Sequence, residues 1–205
     1  MYLKPLFIAG LLLLAGCDTL PSKQTNFLVL EPQKTFDSTP LRHHPDLSIG
    51  LGPIRLNDIL DRPQVVTHID SNRVRLDDFQ HWAGGLEDNI YRVLQQNLMA
   101  LLGTDRVTPY PWPRYRKLDY QVGLDILRFD GAPGGEAHLL GLWNLLDGEG
   151  RTEYLVKKFD IVEPVEGTGY AKLAAALSRT LGRLSEDIAA TIEARLNKRE
   201  GTTTQ

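Results

Sequence analysis

One side chain near the N-terminus has surroundings that point to a defined covalent chemistry, the thiol of Cys17. It is the only cysteine among 205 residues, and it directly follows Leu14-Ala15-Gly16 at the end of an apolar run. A deprotonated thiol is a good nucleophile, and it forms a stable thioether with a lipid. Small side chains before it suit a peptidase that cuts in the plane of the membrane. The pattern therefore predicts cleavage just before Cys17 and attachment of a diacylglycerol to its sulfur.

The whole segment resembles the bacterial lipobox at the end of a signal peptide. Two other interpretations stay open: a plain secretory signal with an unrelated cysteine, or a short transmembrane helix. The apolar run, residues 6–14, is well short of the about 20 residues that span a bilayer, and its length suits the core of a signal peptide. We expect residues 1–16 to be a lipoprotein signal peptide and residues 17–25 to be a lipidated N-terminus with a flexible tether. Two acyl chains are enough for stable anchoring.

The charge balance of the remaining chain excludes one class of partner. The whole chain has 23 basic and 26 acidic residues, and removal of residues 1–16 takes away only Lys4, which leaves 22 basic and 26 acidic. A mildly acidic domain argues against nucleic-acid binding, which selects a basic face. Lipidation would also consume the only thiol, so disulfides and thiolate metal sites are excluded. With 42% apolar residues, a hydrophobic core alone can stabilise the domain.

Beyond Cys17, the sequence shows no pattern typical of a catalytic or metal site. The five histidines include no i, i+4 pair, and none accompanies a carboxylate in a zinc-binding pattern. A G-x-S-x-G motif and a phosphate-binding glycine loop are both missing from the sequence. Ser178 and Ser185 fall on a predicted helix without an adjacent base, which indicates packing or surface roles. We therefore expect no cofactor, no metal and no enzymatic activity.

Alternating and β-branched segments predict the strands that would build the domain. They cover residues 27–30, 47–54, 65–69, 73–76, 107–110, 120–129, 138–146 and 152–162. In the segment 120–129 the apolar positions alternate up to Ile126 and then shift phase to Leu127 and Phe129. The segment 138–146 is apolar on both faces, which is typical of a central strand. The last three strands would form an antiparallel meander.

Two apolar stripes at helical spacing predict two long helices. The first would begin at Asp77-Asp78, which could act as an N-cap, and would run to about Leu102, with Gly103 closing it. Gly84-Gly85 would then lie in the first turns at a cost of about 1 kcal/mol each, so either the helix begins after them or another segment packs closely there. The second helix would cover residues 169–197, and the polar residues 198–205 would be a disordered tail.

These elements predict one α+β domain over residues 26–197. We expect a mixed, largely antiparallel sheet of about five to seven strands with two long helices packed on one face. The other face of the sheet would be left for solvent, for a loop or for a partner.

Several stretches together resemble one protein family. After the lipobox they are Leu51-Gly52-Pro53, residues 56–66, the helix start Trp82-Ala83-Gly84-Gly85-Leu86, Tyr110-Pro111-Trp112 and residues 176–189. In this order they resemble the PqiC/YmbA lipoproteins, auxiliary components of ABC-type transport systems, over nearly the whole mature chain. The resemblance implies a periplasmic domain that accompanies an MCE-domain protein in lipid transport between the two membranes of a Gram-negative envelope, and that forms homo-oligomeric rings.

The resemblance also assigns sites. It makes Cys17 the lipid site and offers Asp61, Arg62, Pro63, Trp82 and Trp112 as possible partner-binding residues. For the two tryptophans the alternative is core packing, and for the Asp61-Arg62 pair it is a local turn contact. It carries over no catalytic residue.

One residue leaves open which of the two membranes holds the anchor. The family is expected at the outer membrane, but Asp18 follows the cysteine, and in enteric bacteria an aspartate there favours retention in the inner membrane. Two functions besides the transport component stay open. One is a lipid carrier with an apolar pocket between the sheet and the helices, and the other is an envelope hydrolase, for which no cluster of acid, base and nucleophile is found.

Overall fold

The computed structural model describes residues 23–36, 42–70 and 72–203. Cys17, Asp18, the predicted signal peptide and most of the predicted tether lie outside these residues. The described chain forms eight strands: β1 (Asn26–Leu28), β2 (Ile49–Leu56), β3 (Gln64–Asp70), β4 (Arg73–Trp82), β5 (Val107–Pro109), β6 (Tyr120–Gly131), β7 (Glu136–Asp147) and β8 (Glu153–Pro164). Two helices accompany them, α1 (Leu86–Leu102) and α2 (Tyr170–Thr203).

The sheet branches at β6. Along one edge β6 pairs antiparallel with β7, and β7 pairs antiparallel with β8. Along its other edge β6 pairs in parallel first with β2 and then, at its end, with β3. β2 leads on to β5, whereas β3 leads on to β4 and β1. The predicted α+β class and the mixed sheet, in which the long ladders are antiparallel, are confirmed, with eight strands instead of five to seven.

Both helices cover one face of this sheet, as expected. Helix α2 contacts β6, β7 and β8, α1 contacts β2 and β5, and the two helices contact each other. Alternate side chains of β7 face the helices and are buried, among them Leu139, Trp143 and Leu145. Each large apolar side chain that is fully buried in this way contributes about 1.5 to 3 kcal/mol, so the helix-facing side of the sheet is the core of the domain.

The prediction that α1 begins at Asp77-Asp78 is wrong. Both residues lie in β4, where the Asp77 carboxylate accepts a 2.9 Å hydrogen bond from the amide of Phe79. The helix begins at Leu86, after a turn in which Gly84 has φ of 81°. A Cβ at Gly84 would meet no atom within 4 Å, so the glycine serves the left-handed turn and not a close contact.

Two further details correct the sequence analysis. The phase shift in β6 is a β-bulge between Ile126 and Arg128, but Leu127 is 52% exposed and only Phe129 returns to the core. Residues 198–203 of the tail that was predicted to be disordered are helical, because α2 continues to Thr203. Its last turns are held on the sheet by Arg195, whose guanidinium lies 3.5 Å from the ring centroid of Tyr154, and by an Arg199 contact with Tyr120.

Candidate functional site

Chemistry at the N-terminus cannot be located in the structure, because Cys17 lies outside the described residues. Within those residues, neither helix combines the length and the apolarity needed to cross a membrane. No three His, Cys, Asp or Glu side chains of the described chain are grouped to hold a metal ion. Ser178 and Ser185 are buried between elements, where each donates a hydrogen bond to a carbonyl of its own helix. The remaining candidate sites of the described chain are exposed surfaces.

The segment that contains Asp61, Arg62 and Pro63 is a compact turn after β2. The Arg62 guanidinium donates to the carbonyls of Ile59 and Asp58, at 2.7 and 3.2 Å. These contacts match the local-turn alternative, since Arg62 is directed to backbone oxygens of its own turn. Asp61 and Pro63 remain exposed at the surface, where a partner can reach them.

Trp82 lies in the core. Its side chain is 4% exposed and packs against Phe129, with the two ring centroids 6.3 Å apart. Its amide donates a 2.8 Å hydrogen bond to the carbonyl of Pro63, so the structure joins these two predicted residues through the backbone. The indole itself is not available to a partner, and core packing describes its position.

Trp112 is only half-buried and lies at the other end of β2. It packs edge-on against Tyr110 at a centroid distance of 5.2 Å, and it covers Gly50, where a Cβ would come within 2.9 Å of its ring. Tyr110 is 51% exposed. Because Gly50 and Leu56 are six residues apart on an extended strand, Trp112 and the Asp61–Pro63 turn are separated by about 20 Å. The five predicted partner-binding residues thus do not form one site.

A larger apolar surface lies on the side of the sheet that faces away from the helices. We call it the open face. Its apolar side chains are Leu127 on β6, Leu140 and Leu142 on β7, and Val156 and Val162 on β8, and two charged side chains of β8, Lys158 and Asp160, stand between the two valines. Side chains paired across antiparallel strands share a face, and the pairs Asn144–Val156 and His138–Val162 place the two valines beside the outward side of β7. Four of the five are between 38% and 55% exposed. Exposed apolar side chains grouped in this way mark an interaction surface.

Ion pairs border the open face. On one side the Arg55 guanidinium binds the Asp125 carboxylate through both oxygens, and Asp125 is the cross-strand neighbour of Leu142. Hydrogen bonds from Arg55 lower the pKa of the Asp125 carboxyl, and the same contact raises the pKa of Arg55. The pair therefore stays charged at neutral pH and places a fixed ion pair beside Leu142 of the open face.

A second charged group lies at the far end of the face. The buried carboxylate of Asp130 accepts a 2.8 Å hydrogen bond from Nε of Arg128 and lies 2.9 Å from Nδ1 of His68. The imidazole is close but not aligned for a hydrogen bond. This group opens on a surface groove of about 530 Å³ that His138 and Glu136 also line. Arg128 balances the buried charge, which makes the group a fixed polar border of the open face.

The open face was only partly visible in the sequence. The strand predicted over residues 138–146 is apolar on both faces, and it is indeed central, between β6 and β8. That pattern is typical of a strand covered on both sides, whereas only one side is covered by helices. Alternation shows which side chains share a face, but it does not show what packs on that face.

Comparison with known proteins gives a family and a fold. The profile of the family described as the ABC-type transport auxiliary lipoprotein component matches residues 29–189. No curated protein matches the sequence significantly.

Among solved structures, an uncharacterised protein is similar with a TM-score of 0.66 and 16% identity, over 82% of this chain and 99% of that one. A Xanthomonas campestris protein of the DUF330 family has a TM-score of 0.61 and 15% identity, over 86% and 98%. The PelC dodecamer of Paraburkholderia phytofirmans is far less similar, with a TM-score of 0.38 and 12% identity over 72% and 94%. At these identities the first two structures bear on the fold alone.

The family match extends from the residue after β1 to residue 189 in the middle of α2, and so it includes α1, the strands β2 to β8 and more than half of α2. The chain therefore belongs to the family of ABC-type transport auxiliary lipoprotein components.

Proposed function

We propose that the protein is a lipid-anchored, non-enzymatic component of an intermembrane lipid transport system, and that it docks on an MCE-domain protein in the periplasm. The observation that carries the proposal is the family match over residues 29–189, which names a transport auxiliary lipoprotein. The lipobox-like residues before Cys17 agree with it. They supply the predicted attachment site, and the anchor then keeps the domain at a membrane surface.

The proposed docking surface is the open face. Exposed apolar and charged side chains alternate on it: Leu142 and Val156 are 38% and 55% exposed, and Lys158 is the cross-strand neighbour of Leu142. Such a mixture suits an interface between proteins that also exist apart, because these interfaces are about as polar as the rest of the surface. Asp61 and Pro63 lie near one side of this face, because Asn57 of the same turn donates a 2.6 Å hydrogen bond to the carbonyl of Leu127. A partner on the open face could therefore also contact the turn.

Affinity purification of the full chain from detergent extracts tests the proposal. We expect the wild-type chain to recover an MCE-domain protein, and Leu142→Arg to reduce that recovery about tenfold, since central interface side chains contribute most of the binding energy. Gln96→Arg on the exposed side of α1 introduces the same charge outside the open face and is the matched control. Failure to recover an MCE protein in several detergents would contradict the proposed function. Equal recovery with both variants would contradict the open face as the docking surface.

The proposal places the anchor in the outer membrane, as the family resemblance implies, although Asp18 favours the inner membrane in enteric bacteria. Separation of the two membranes on a density gradient decides between them. Cys17→Ser is expected to remove the protein from both membrane fractions. If Cys17→Ser remained membrane-bound and functional in transport, the proposed anchor would be contradicted.

A homo-oligomeric ring is a further part of the proposal. Light scattering of the purified chain should give a mass that is a multiple of the single chain, which is 23.0 kDa before processing. A monomer at high protein concentration would contradict the ring and leave the docking proposal in place.

A lipid carrier is the second candidate, and one groove favours it. The expected pocket between sheet and helices is filled by fully buried side chains such as Leu98, Leu177 and Leu181. An open groove of about 410 Å³ lies instead between the N-terminal segment and α2, which exceeds the roughly 300 Å³ of small ligand sites. Its apolar lining comes from Phe27, Leu28, Val29, Ala171, Ala174 and Ala175. Native mass spectrometry should detect a co-purified lipid if this function holds, and a lipid-free mass contradicts it.

A further inference from the structure

Three apolar side chains are exposed close to the point where the described chain begins. Phe27 on β1 is 67% exposed, Val29 just after it is 45% exposed, and Phe79 on β4 is 37% exposed. We call these residues, together with Lys23, the N-terminal patch. β1 is an edge strand that pairs in parallel with β4.

The strand register shows which way the patch faces. Leu28 is paired with Trp82, which points into the core, so the neighbouring pair Phe27 and His81 points outward. The Phe27 and His81 rings meet edge-to-face at 6.1 Å. Phe79 lies two residues before His81 on the same strand. Phe27 is therefore exposed at the edge of the sheet beside His81, where it also lines the groove next to α2.

A cation completes the patch. The ammonium group of Lys23 lies 5.5 Å from the ring centroid of Phe79. Lysine and aromatic side chains together are typical of surfaces at the boundary between lipid headgroups and acyl chains, because the rings enter the boundary while the ammonium group stays with the headgroups. This composition differs from that of the open face, which has aliphatic side chains interspersed with charged ones.

The chain length between the patch and Cys17 restricts what can cover it. Cys17 and Lys23 are six residues apart, and an extended chain spans at most about 3.6 Å per residue, or roughly 20 Å in all. A diacylglycerol on Cys17 lies in the bilayer, so the patch can never be farther than this from the membrane surface. Such a short connection gives the bilayer a high effective concentration at the patch.

We propose that the N-terminal patch contacts the headgroup boundary of the bilayer that holds the anchor. This inference rests on the lipidated Cys17 of the proposed function. Contact at β1 holds this edge of the sheet at the membrane surface, which a tether alone would not do.

Tryptophan quenching in vesicles tests the contact with the full lipidated chain. The protein is reconstituted into vesicles of phosphatidylethanolamine and phosphatidylglycerol that contain phosphatidylcholine brominated on its acyl chains. Phe27→Trp places a probe in the patch, and Val156→Trp places the matched probe at another exposed apolar position of a strand. The wild-type signal of Trp82, Trp112 and Trp143 is subtracted. We expect the added emission of Phe27→Trp to be quenched at least twofold more than that of Val156→Trp.

The outcomes of this experiment distinguish a failure of the membrane contact from a failure of the lipid anchor. Flotation of the wild-type chain with the vesicles is measured first, and a chain that does not float contradicts the anchor and this contact together. If the chain floats but Phe27→Trp is quenched no more than Val156→Trp, the contact alone is overturned and the proposed function stands. Phe79→Trp is the second probe, and it must give the same result as Phe27→Trp for the patch to be the contact surface.

Discussion

Asn97 on α1 donates a 3.1 Å hydrogen bond to Oγ of Ser185 on α2, and both side chains are at most 1% exposed. The side-chain oxygen of Asn97 accepts a 2.9 Å bond from the amide of Gln33. Gln33 belongs to the N-terminal segment, which also bonds to α2, since the amide of Glu31 donates to Oγ of Ser178 at 3.0 Å. One buried amide therefore joins α1 to α2 and to the segment that leads back to the tether.

Asn97→Ala should lower the free energy of unfolding by about 1 to 3 kcal/mol, because the amide of Gln33 loses its acceptor, whereas Oγ of Ser185 keeps its bond to the carbonyl of Leu181. Chemical denaturation measures the change. Gln96→Ala alters the neighbouring exposed position on the same helix and should change stability by less than about 0.5 kcal/mol. A similar small effect of both variants would show that the buried amide is not a structural link.

Two glycine variants test the close packing of the sheet. A Cβ at Gly141 on β7 would lie 2.1 Å from the carbonyl oxygen of Asp125 and 2.7 Å from the ring of Phe159. The nearest atom belongs to the backbone of β6 and cannot rotate away, so Gly141→Ala should destabilise the fold by at least about 2 kcal/mol. At Gly169 a Cβ would meet no atom within 4 Å. Thermal unfolding should therefore show Gly169→Ala close to the wild type, and equal Tm values for the two variants would be inconsistent with this packing.

Sequence patterns predicted the presence of strands and helices better than the residues at which these begin and end. The strands and the stripes of both helices come from local periodicity, which the core preserves. Asp77-Asp78 has the composition of an N-cap, but the strand continues through it to Trp82, because β4 pairs with β1 and β3. Pairing with strands that are distant in sequence decides this boundary, and no local pattern contains that information.

The candidate site was less predictable than the fold. Trp82 and Trp112 look alike in sequence, but one is in the core and the other covers Gly50 at the surface. The open face depends on Val156 and Leu142 being left without a cover, and that is a property of the tertiary arrangement. The N-terminal patch depends likewise on the parallel pairing of Phe27 with His81.

The turn between β7 and β8 should make the free energy of unfolding depend on pH in the acidic range. The Asp147 carboxylate accepts backbone hydrogen bonds from Arg151, Thr152 and Glu149 at 2.8, 3.1 and 3.2 Å. The bond from Arg151 is the main cause that lowers the pKa of the Asp147 carboxyl in the folded protein. Because folding lowers this pKa, the contribution is fully present above the unfolded value of about 3.9 and is lost as the pH falls through the folded pKa.

Asp147→Asn therefore should reduce Tm at about pH 7, and the difference from the wild type should shrink as the pH falls below about 4. Thermal unfolding across this range measures it. Arg151→Gln keeps both the carboxylate and the backbone donor of residue 151, so its acid dependence should follow that of the wild type. A difference between Asp147→Asn and the wild type that is constant with pH would contradict the role of the charged carboxylate.

The end of α2 distinguishes the structure from the prediction made from sequence alone. A disordered tail could be removed without effect, whereas the structure places the Arg199 guanidinium 3.4 Å from the Tyr120 hydroxyl and 5.8 Å from its ring centroid. This contact raises the pKa of Arg199, chiefly through the hydrogen bond to Tyr120. Deletion of residues 198–205 should lower the free energy of unfolding by about 0.5 to 1 kcal/mol, the range of an exposed cation–π contact.

Arg199→Ala in the full chain should reproduce most of that loss, since it removes the contact with Tyr120 and keeps the length of the chain. Deletion of residues 204–205 alone is the matched control and should leave unfolding unchanged within about 0.5 kcal/mol. Urea denaturation of the three variants measures the differences. If the long deletion were as stable as the short one, the last turns of α2 would not be held by the sheet, and residues 198–205 would behave as the disordered tail that their composition predicts.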